Sequence, residues 1–231
     1  MAALADRDRI LQSLETPAIM EYAGPNGHLK AREQLTVRRP ASLRVEALSP
    51  LGVALIVAAD ANQVAIFDPS QNTITRGAAT AATLSRVAQI PLAPEQAARL
   101  LLALPPAAVA TAPCVHTAED RGVPGLACTR ADGTVDEIAF LDGNLALVRE
   151  SDRAGAIVYE VRYSDYRDIG AVQFPHTIEA RFPATATTIT LRYENPGVDR
   201  AIPDSAFILT PGPQTRELRL GRTADLLQAQ G

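Results

Sequence analysis

Tryptophan is absent from this sequence of 231 residues, and aromatic residues make up only 4% of it. Hydrophobic residues nevertheless reach 47%, so the chain can bury a substantial core. That core must be built mainly from Ala, Val, Leu and Ile, whose small side chains fill space less completely than aromatic rings. The composition therefore leaves room for a residual cavity in the folded protein.

Lysine is almost absent as well, and acidic residues outnumber basic ones. The net charge is -4, and Lys30 is the only lysine. Phosphate binding requires a concentrated basic face, so we expect no nucleic-acid partner.

The sequence motifs of catalysis and cofactor binding are also missing. The chain contains no GxSxG elbow, no HExxH, no P-loop and no GxGxxG after a strand. Its three histidines, His28, His116 and His176, are scattered and lack nearby partners of the required kind. We therefore expect a protein that is not an enzyme and that holds neither a cofactor nor a metal ion.

No apolar run is long enough to cross a membrane as a helix, which takes about 20 residues. The best candidates are interrupted by Pro50, Pro94 or Pro105. The first 15 residues carry charges from Asp6 to Arg9 and have no apolar region of the signal-peptide type. Either the protein is cytoplasmic, or a leader has been removed and Met1 starts the mature chain.

Cys114 and Cys128 are the only cysteines. They can form a disulfide, remain two buried thiols, or belong to a metal site, although no CxxC or Cys/His cluster supports zinc. We favour the disulfide, which would close a loop of roughly 15 residues, stabilise the fold by about 3 kcal/mol and indicate an oxidising compartment.

The hydrophobic pattern predicts an N-terminal helix over Leu4–Glu15 and then a series of strands. The first two strands surround the turn Pro25-Asn26-Gly27, and the next two surround Ser49-Pro50-Leu51-Gly52. The predicted strands of this half are Ala18–Gly24, His28–Arg39, Leu43–Leu48, Val53–Ala59, Gln63–Asp68 and Thr73–Arg76.

The period then changes to that of helices. Leu84, Val87 and Ala88 suit a short helix, and Pro94 opens a second one that runs to Leu104 before Pro105. The second helix has a wide apolar face on which Leu100, Leu101 and Leu104 align with Ala97. Such a helix normally lies against a sheet.

Three later segments alternate clearly between an apolar and a charged face. This alternation predicts an antiparallel sheet with one face exposed to solvent, on which charged residues form cross-strand pairs. The apolar positions of these segments are Tyr159, Val161, Ile178, Phe182, Ile189 and Leu191. A last strand is expected at Phe207–Thr210.

Together these elements predict an α+β, mainly antiparallel fold, an unclosed and strongly curved β-barrel of about eleven strands. Two of its three helices would cover the apolar concave face. We expect one domain over residues 1–231, with residues 1–3 and 212–231 loose.

Over most of its length this sequence resembles the bacterial lipoprotein-localisation superfamily, LolA and LolB. The run LRVEALSPLG, followed by a strand pair and RVAQIPLAPEQAARLLLALPP, resembles LolB most closely. VRRPASL and FILTP resemble LolA, in which an Arg-Pro pair ends an early strand. The chain departs from LolB in having no cysteine for lipidation near Met1, and from both relatives in having no tryptophan.

The resemblance implies a periplasmic protein that shields acyl chains of lipoproteins or lipids in an apolar cavity and delivers them to the outer membrane. A LolA-like protein would donate the cargo. We expect a monomer, tethered to the outer membrane through a lipidation site that precedes Met1. The alternative is a domain of the same fold that senses lipids or lipoproteins or serves as a scaffold in envelope assembly.

The resemblance also assigns residues. Leu51, between Pro50 and Gly52, matches an exposed leucine that engages the membrane or lipid, and Arg39 matches an arginine that holds the helical lid shut. The cavity and lid would be lined by Leu84, Val87, Leu100, Leu101, Leu104, Tyr159, Val161, Ile178, Phe182, Ile189 and Leu191. Without the resemblance, Leu51 would be an ordinary hairpin tip, Arg39 a surface charge, and the helix after Pro94 part of a static core.

Overall fold

The computed structural model describes residues 7–25, 27–119, 123–170 and 172–220. The strands among these residues form one 15-stranded sheet. The strands are β1 (Ser13–Gly24), β2 (Gly27–Arg38), β3 (Ser42–Ser49), β4 (Gly52–Ala59), β5 (Gln63–Asp68), β6 (Thr73–Ala78), β7 (Cys114–Glu119), β8 (Val123–Thr129), β9 (Val135–Leu141), β10 (Asn144–Ser151), β11 (Ile157–Ile169), β12 (Val172–Phe182), β13 (Thr187–Tyr193), β14 (Gly197–Val198) and β15 (Arg216–Arg219).

The sheet is curled but unclosed. Its order is β15-β6-β5-β4-β3-β2-β1-β13-β12-β11-β10-β9-β8-β7, with β14 beside β1, and within the described ranges no pairing joins β15 to β7. All pairs are antiparallel except β15 with β6. The predicted mainly antiparallel, unclosed sheet with few helices is therefore confirmed, although the structure has more strands than the expected eleven.

Three α-helices accompany the sheet within the described ranges. α1 covers residues 7–10, α2 is Ala81–Ala88 and α3 is Pro94–Leu101. Short 3-10 turns lie at Ala107–Ala110, Pro183–Thr185 and Asp204–Phe207. Because α2 and α3 connect β6 to β7, they join strands that lie near opposite edges of the sheet.

The two ends of the sheet carry different features. The turns after β1 and β3 lie at one end, which contains Leu51, and the turn after β2 lies at the other, which contains Arg39. We call these the Leu51 end and the Arg39 end. The eight residues of β3 separate them, a distance of about 26 Å at the usual rise per residue.

The N-terminal helix predicted over Leu4–Glu15 is wrong beyond residue 10, and Leu4 itself lies outside the described residues. From Ser13 onwards the chain is in β1, where Leu14 pairs with Val37 of β2 and is fully buried. The burial that this pairing provides outweighs the local helical pattern. α3 also ends three residues earlier than predicted, because Ala103 has a left-handed φ of 52° and the chain turns back there.

The C-terminal strand is the second correction. Phe207, predicted to begin a strand that ends at Thr210, instead ends a 3-10 turn, and β15 lies in the segment 212–231 that was expected to be loose. The four residues of β15 are exposed and show no apolar alternation. Backbone pairing with β6 and an ion pair of 2.9 Å between Arg76 Nε and Glu217 Oε2 hold the strand. A pattern search for apolar alternation cannot find such a strand.

Of the alternatives that the sequence leaves open for the cysteines, the structure has the disulfide. Cys114 of β7 and Cys128 of β8 lie directly opposite each other and are bonded. The outer face of the sheet carries cross-strand ion pairs of the expected kind. Glu21 of β1 accepts hydrogen bonds from Lys30 of β2 at 2.9 Å and from Arg192 of β13 at 2.7 Å.

Candidate functional site

The concave face of the sheet is the candidate site, because the residues predicted to line a cavity meet there. Most of them are buried in one apolar core together with residues of β1 and β2. The buried members are Leu100, Leu104, Tyr159, Val161, Ile178, Phe182 and Ile189, and the half-buried Leu101 and Leu191 pack against them. Leu84 is buried in a smaller neighbouring cluster with Leu43, Ala59 and Val64. Val87 lies in α2, and its side chain is outside the described part of the structure.

α3 and the residues after it cover this face. Ala98 and Leu100 of α3 are buried, and Leu102, Ala103 and Leu104 are fully buried in the same core as the strands. The face is thus filled by side chains of the protein itself. A guest molecule would have to take the place of α3 rather than enter beside it.

The C-terminal end of α3 is fastened to the sheet by two tyrosines. Tyr163 of β11 donates a hydrogen bond from its hydroxyl to the carbonyl of Leu100 at 3.0 Å, and Tyr193 of β13 donates one to Leu101 at 3.1 Å. The last carbonyls of a helix have no partner within it. Tyr193 supplies one to Leu101, and Tyr163 adds a second bond to the Leu100 carbonyl, which also accepts from the Ala103 amide at 3.1 Å. Burial raises the pKa of both tyrosines above its ordinary value, which keeps them as donors.

A carboxylate of α1 connects α3 to the turn after β2. Asp8 Oδ2 accepts a hydrogen bond from Arg39 Nη2 at 3.0 Å, and Asp8 Oδ1 accepts one from Arg99 Nη2 of α3. Arg99 is itself buried and donates from Nε to the carbonyl of Pro105 at 2.6 Å. Burial alone would raise the pKa of Asp8, but the bonds and charges of Arg99 and Arg39 outweigh it and lower the pKa.

Arg39 therefore reaches the helix that covers the sheet through an intermediate carboxylate. The sequence pointed to Arg39 and missed both Asp8 and Arg99. A signal was available, since Arg99 is a charged residue in a helix with an otherwise wide apolar face. A buried arginine requires a partner, and the partner proves to be 91 residues away in sequence.

A second set of polar contacts holds the N-terminal half of α3. Gln96 Nε2 donates to Glu150 Oε2 of β10 at 3.3 Å, and the same carboxylate accepts from Arg130 Nη2 at 2.8 Å. Arg130 also makes two bonds to Asp136, which is fully buried, at 2.6 and 2.7 Å. A cavity of about 160 Å³ lies beside this network and is lined by Glu95, Gln96, Arg99, Pro106, Ala107, Ala108 and Arg130.

Another cavity, of about 410 Å³, lies near the turn after β1. It is lined by Glu21, Tyr22, Ala23, His28, Leu29, Lys30, Thr188 and Thr190. Tyr22 lines this cavity, and its hydroxyl donates a hydrogen bond of 2.6 Å to Gln89 Oε1 at the end of α2. The end of α2 is thereby joined to the sheet at the Leu51 end.

Leu51 occupies the tip of the hairpin formed by β3 and β4 and is 100% exposed. The turn is fixed by Ser49, whose hydroxyl accepts from the Leu51 amide at 3.3 Å and donates to the Gly52 carbonyl at 2.9 Å. Gly52 has a φ of 118°, which favours glycine. Leu48, Val53 and Leu55 next to the tip are also exposed, so the leucine belongs to an apolar patch. Pro50 completes the turn.

Glu33 of β2 lies on the concave face and has no charged partner in the part of the chain that the structure describes. Strand alternation places it on the same side as Leu35 and Val37, and only 2% of its surface is exposed. Its Oε2 atom is buried without a hydrogen-bond partner. Burial raises the pKa of this carboxyl to about 7. Sequence analysis did not single out this residue, because a Glu in β2 is equally compatible with a charged outer face.

Glu33 should make the stability of the protein depend on pH. Its pKa is higher in the folded than in the unfolded chain, so its contribution to the free energy of unfolding is complete below about pH 4.5 and is lost as the pH rises through about 7. This loss corresponds to about 3 kcal/mol. We expect Glu33→Gln to reduce the difference in urea-unfolding free energy between mildly acidic and mildly alkaline buffer by about that amount. Glu46→Gln, on the outer face of β3, should leave the difference unchanged, and a Glu33→Gln profile parallel to wild type would contradict this assignment.

Among the described residues no group of three His, Cys, Asp or Glu side chains is arranged to hold a metal ion. His176 is buried, and its Nδ1 lies 3.1 Å from the carbonyl oxygen of Tyr193. No helix in the described ranges combines the length and the apolar character that a membrane span requires.

No protein-family model matches the sequence, and no curated protein matches it. Solved structures do match. A LolA superfamily protein from Nitrosomonas europaea superposes with a TM-score of 0.62 at 16% identity, covering 90% of this chain and 96% of that one.

Two further structures extend the likeness. A candidate outer membrane lipoprotein-sorting protein domain from Vibrio parahaemolyticus gives a TM-score of 0.60 at 12% identity and covers 89% of this chain and 94% of that one. A DUF1329 family protein from Desulfovibrio piger gives 0.59 at 12% identity and covers 90% and 95%. The expected resemblance to the LolA/LolB superfamily is therefore confirmed at the level of the fold, and this chain has the fold of LolA superfamily proteins.

Proposed function

We propose that this protein binds the acyl chains of lipids or lipoproteins on its concave face, shields them from water and releases them at a membrane. The observation that carries the proposal is the apolar concave face whose cover, α3, is fastened by a small number of polar side-chain contacts. The likeness to a lipoprotein-sorting domain supports the cargo class, and the disulfide supports an oxidising compartment such as the periplasm. The protein would act without catalysis, as a monomer, on cargo passed from a LolA-like donor to the outer membrane.

The energetics favour an exchange of one apolar cover for another. An acyl chain left in water costs about 0.8 kcal/mol per methylene, so a long chain gains on the order of 10 kcal/mol when it is enclosed. Leaving the sheet uncovered would carry a comparable penalty. A chain that replaces Leu100, Leu102 and Leu104 on the sheet satisfies both requirements at once.

The polar contacts of α3 determine how easily this exchange occurs. Arg39 would serve as a latch through Asp8 and Arg99, as the resemblance suggested for Arg39 alone. Asp8 is more than a third exposed, so water can replace its bonds at a small cost. The latch can then open without leaving a carboxylate buried and unpaired.

Leu51 would contact the membrane. Transfer of one leucine side chain into lipid gains about 1.5–3 kcal/mol, and the exposed Leu48, Val53 and Leu55 add to it. This is too little to anchor the protein and enough to orient it. The Leu51 end would therefore face the bilayer during transfer.

The first test is the content of the purified protein. We expect mass spectrometry of organic extracts to detect acylated lipids or lipopeptides that co-purify in a defined ratio to protein. Extraction should leave a folded protein that binds a fluorescent fatty acid again. A protein that carries no lipid and binds none when offered would exclude the carrier and the sensor and leave a scaffold role.

The second test concerns Leu51. Leu51→Glu should slow the transfer of a fluorescent acyl lipid from the protein to vesicles at least about tenfold, since insertion of the leucine contributes more than about 1.4 kcal/mol. Binding of the same lipid should be unchanged. Leu141→Glu is the matched control, because Leu141 is 57% exposed beside a turn at the Arg39 end. Equal transfer by both variants would remove the membrane role of Leu51.

The third test concerns the latch. Asp8→Asn removes the charge that joins Arg39 to Arg99, so α3 should open more often and its amides should exchange faster with deuterium. Asp204→Asn is the control, since Asp204 pairs with the neighbouring Arg38 and is 86% exposed. Mass spectrometry of peptides that cover residues 94–101 measures the effect. Identical exchange in wild type and Asp8→Asn would show that Asp8 does not hold the helix.

A further inference from the structure

Glu33 differs from the other buried carboxylates of the protein. Asp136 and Glu150 share Arg130, and Glu160 is bonded to Arg149 at 2.8 Å. Among the described residues, Glu33 Oε2 is the only buried carboxylate oxygen without a hydrogen-bond partner. A buried polar group without a partner destabilises a protein by roughly 1–3 kcal/mol. The absence of a hydrogen-bond partner for Glu33 Oε2 among the described residues therefore requires an explanation.

The position of Glu33 relates it to the proposed cargo surface. In the sheet it lies between Ala18 of β1 and Ala47 of β3, and Ala18 is buried in the main core. The same face of β2 continues from Glu33 through Ala31 to Leu29, which is 56% exposed. On the other side, Ala47 pairs with Leu55 of β4, which is 38% exposed.

These residues form an apolar strip that leads from solvent at the Leu51 end to a single carboxyl group. The strip ends at Glu33, because the next position on that face, Leu35, is fully within the core. A hydrocarbon chain that takes the place of the cover could lie along this strip against its apolar side chains. A polar group attached to such a chain would meet the Glu33 carboxyl, the one buried carboxylate among the described residues with an oxygen that has no hydrogen-bond partner.

We propose that Glu33 is the polar recognition point of the binding face and that it accepts a hydrogen bond from an N–H group attached directly to the acyl chain of the cargo. The ligand class is an amphiphile with an amide or ammonium nitrogen next to its hydrocarbon chain. This inference rests on the proposed function, since it assumes that acyl chains occupy the concave face. The guest would supply the partner that the described residues do not provide.

The chemistry of Glu33 suits such a donor. Because burial brings its pKa to about 7, the group is present both as the neutral acid and as the carboxylate near neutral pH. Either form presents an oxygen that accepts from an amide N–H, and the carboxylate also pairs with an ammonium group. An ester of the same shape offers no donor and would leave the carboxyl unsatisfied.

The test compares two probes that differ in one atom, N-dodecylacetamide and dodecyl acetate, by displacement of a bound fluorescent fatty acid. Wild type should bind the amide about tenfold more tightly than the ester, since a hydrogen bond to a charged or strongly polar group contributes about 1.5 kcal/mol or more. Glu33→Met, which is similar in length and apolar, should bind both probes equally. Glu33→Gln keeps an acceptor oxygen and should keep the preference.

Glu46→Met is the matched control, because Glu46 lies on the outer face of the adjacent strand and pairs with Arg44 at 2.6 Å. It should retain the wild-type preference. Equal binding of amide and ester by wild type, or a preference that survives in Glu33→Met, would overturn the inference and leave the carrier proposal intact. Failure of wild type to bind either probe would overturn both. Because the wild-type comparison decides by itself, the inference can be refuted even if a variant does not fold.

Discussion

The burial of an apolar sheet face under α3 is the constraint on which the rest of this structure depends. A curled sheet with an aliphatic concave face cannot leave that face in water, because each buried leucine or isoleucine contributes about 1.5–3 kcal/mol relative to exposure. The chain meets this requirement with one short helix and the leucines that follow it, inserted between β6 and β7. Any function that uses the face must therefore involve displacement of that cover.

The way in which α3 is held separates it from an ordinary core helix. Its apolar side merges with the core, but its termini are fixed by side chains from β10, β11, β13 and α1. Tyr163 and Tyr193 bind backbone carbonyls that any helix end must satisfy, so these two contacts are explained by folding alone. The bridge through Asp8 is different, because an arginine at position 99 is not needed to pack an apolar face. Replacing it with an aliphatic residue would remove the need for a partner.

The sequence predicted the parts of the fold that follow from local periodicity. The hairpin around Pro50 and Leu51, the alternation on β11 to β13 and the two helices after β6 all have regular patterns of apolar residues. It could not predict features that depend on contacts across the chain. β15 has no apolar pattern and exists through its pairing with β6, while Leu14 is in a strand because β2 lies beside it. The lining residues of the concave face were predictable for the same reason as the strands, since their alternation also encodes which side is buried.

The polar part of the site was less accessible to sequence analysis, and the reason is physical. The periodicity of apolar residues in the sequence indicates which face of a strand is buried, whereas a charged residue on a strand is compatible with either face. Glu33 and Glu46 are both carboxylates on neighbouring strands, yet one is buried without a partner and the other is paired on the outer face. In the register of β2 and β3, Glu33 lies beside Ala47 and Glu46 lies beside Gln34, which places the two carboxylates on opposite faces of the sheet. Among the described residues Glu33 Oε2 has no hydrogen-bond partner, which is a cost to folding that an apolar substitution would remove, and the proposed cargo would supply the partner.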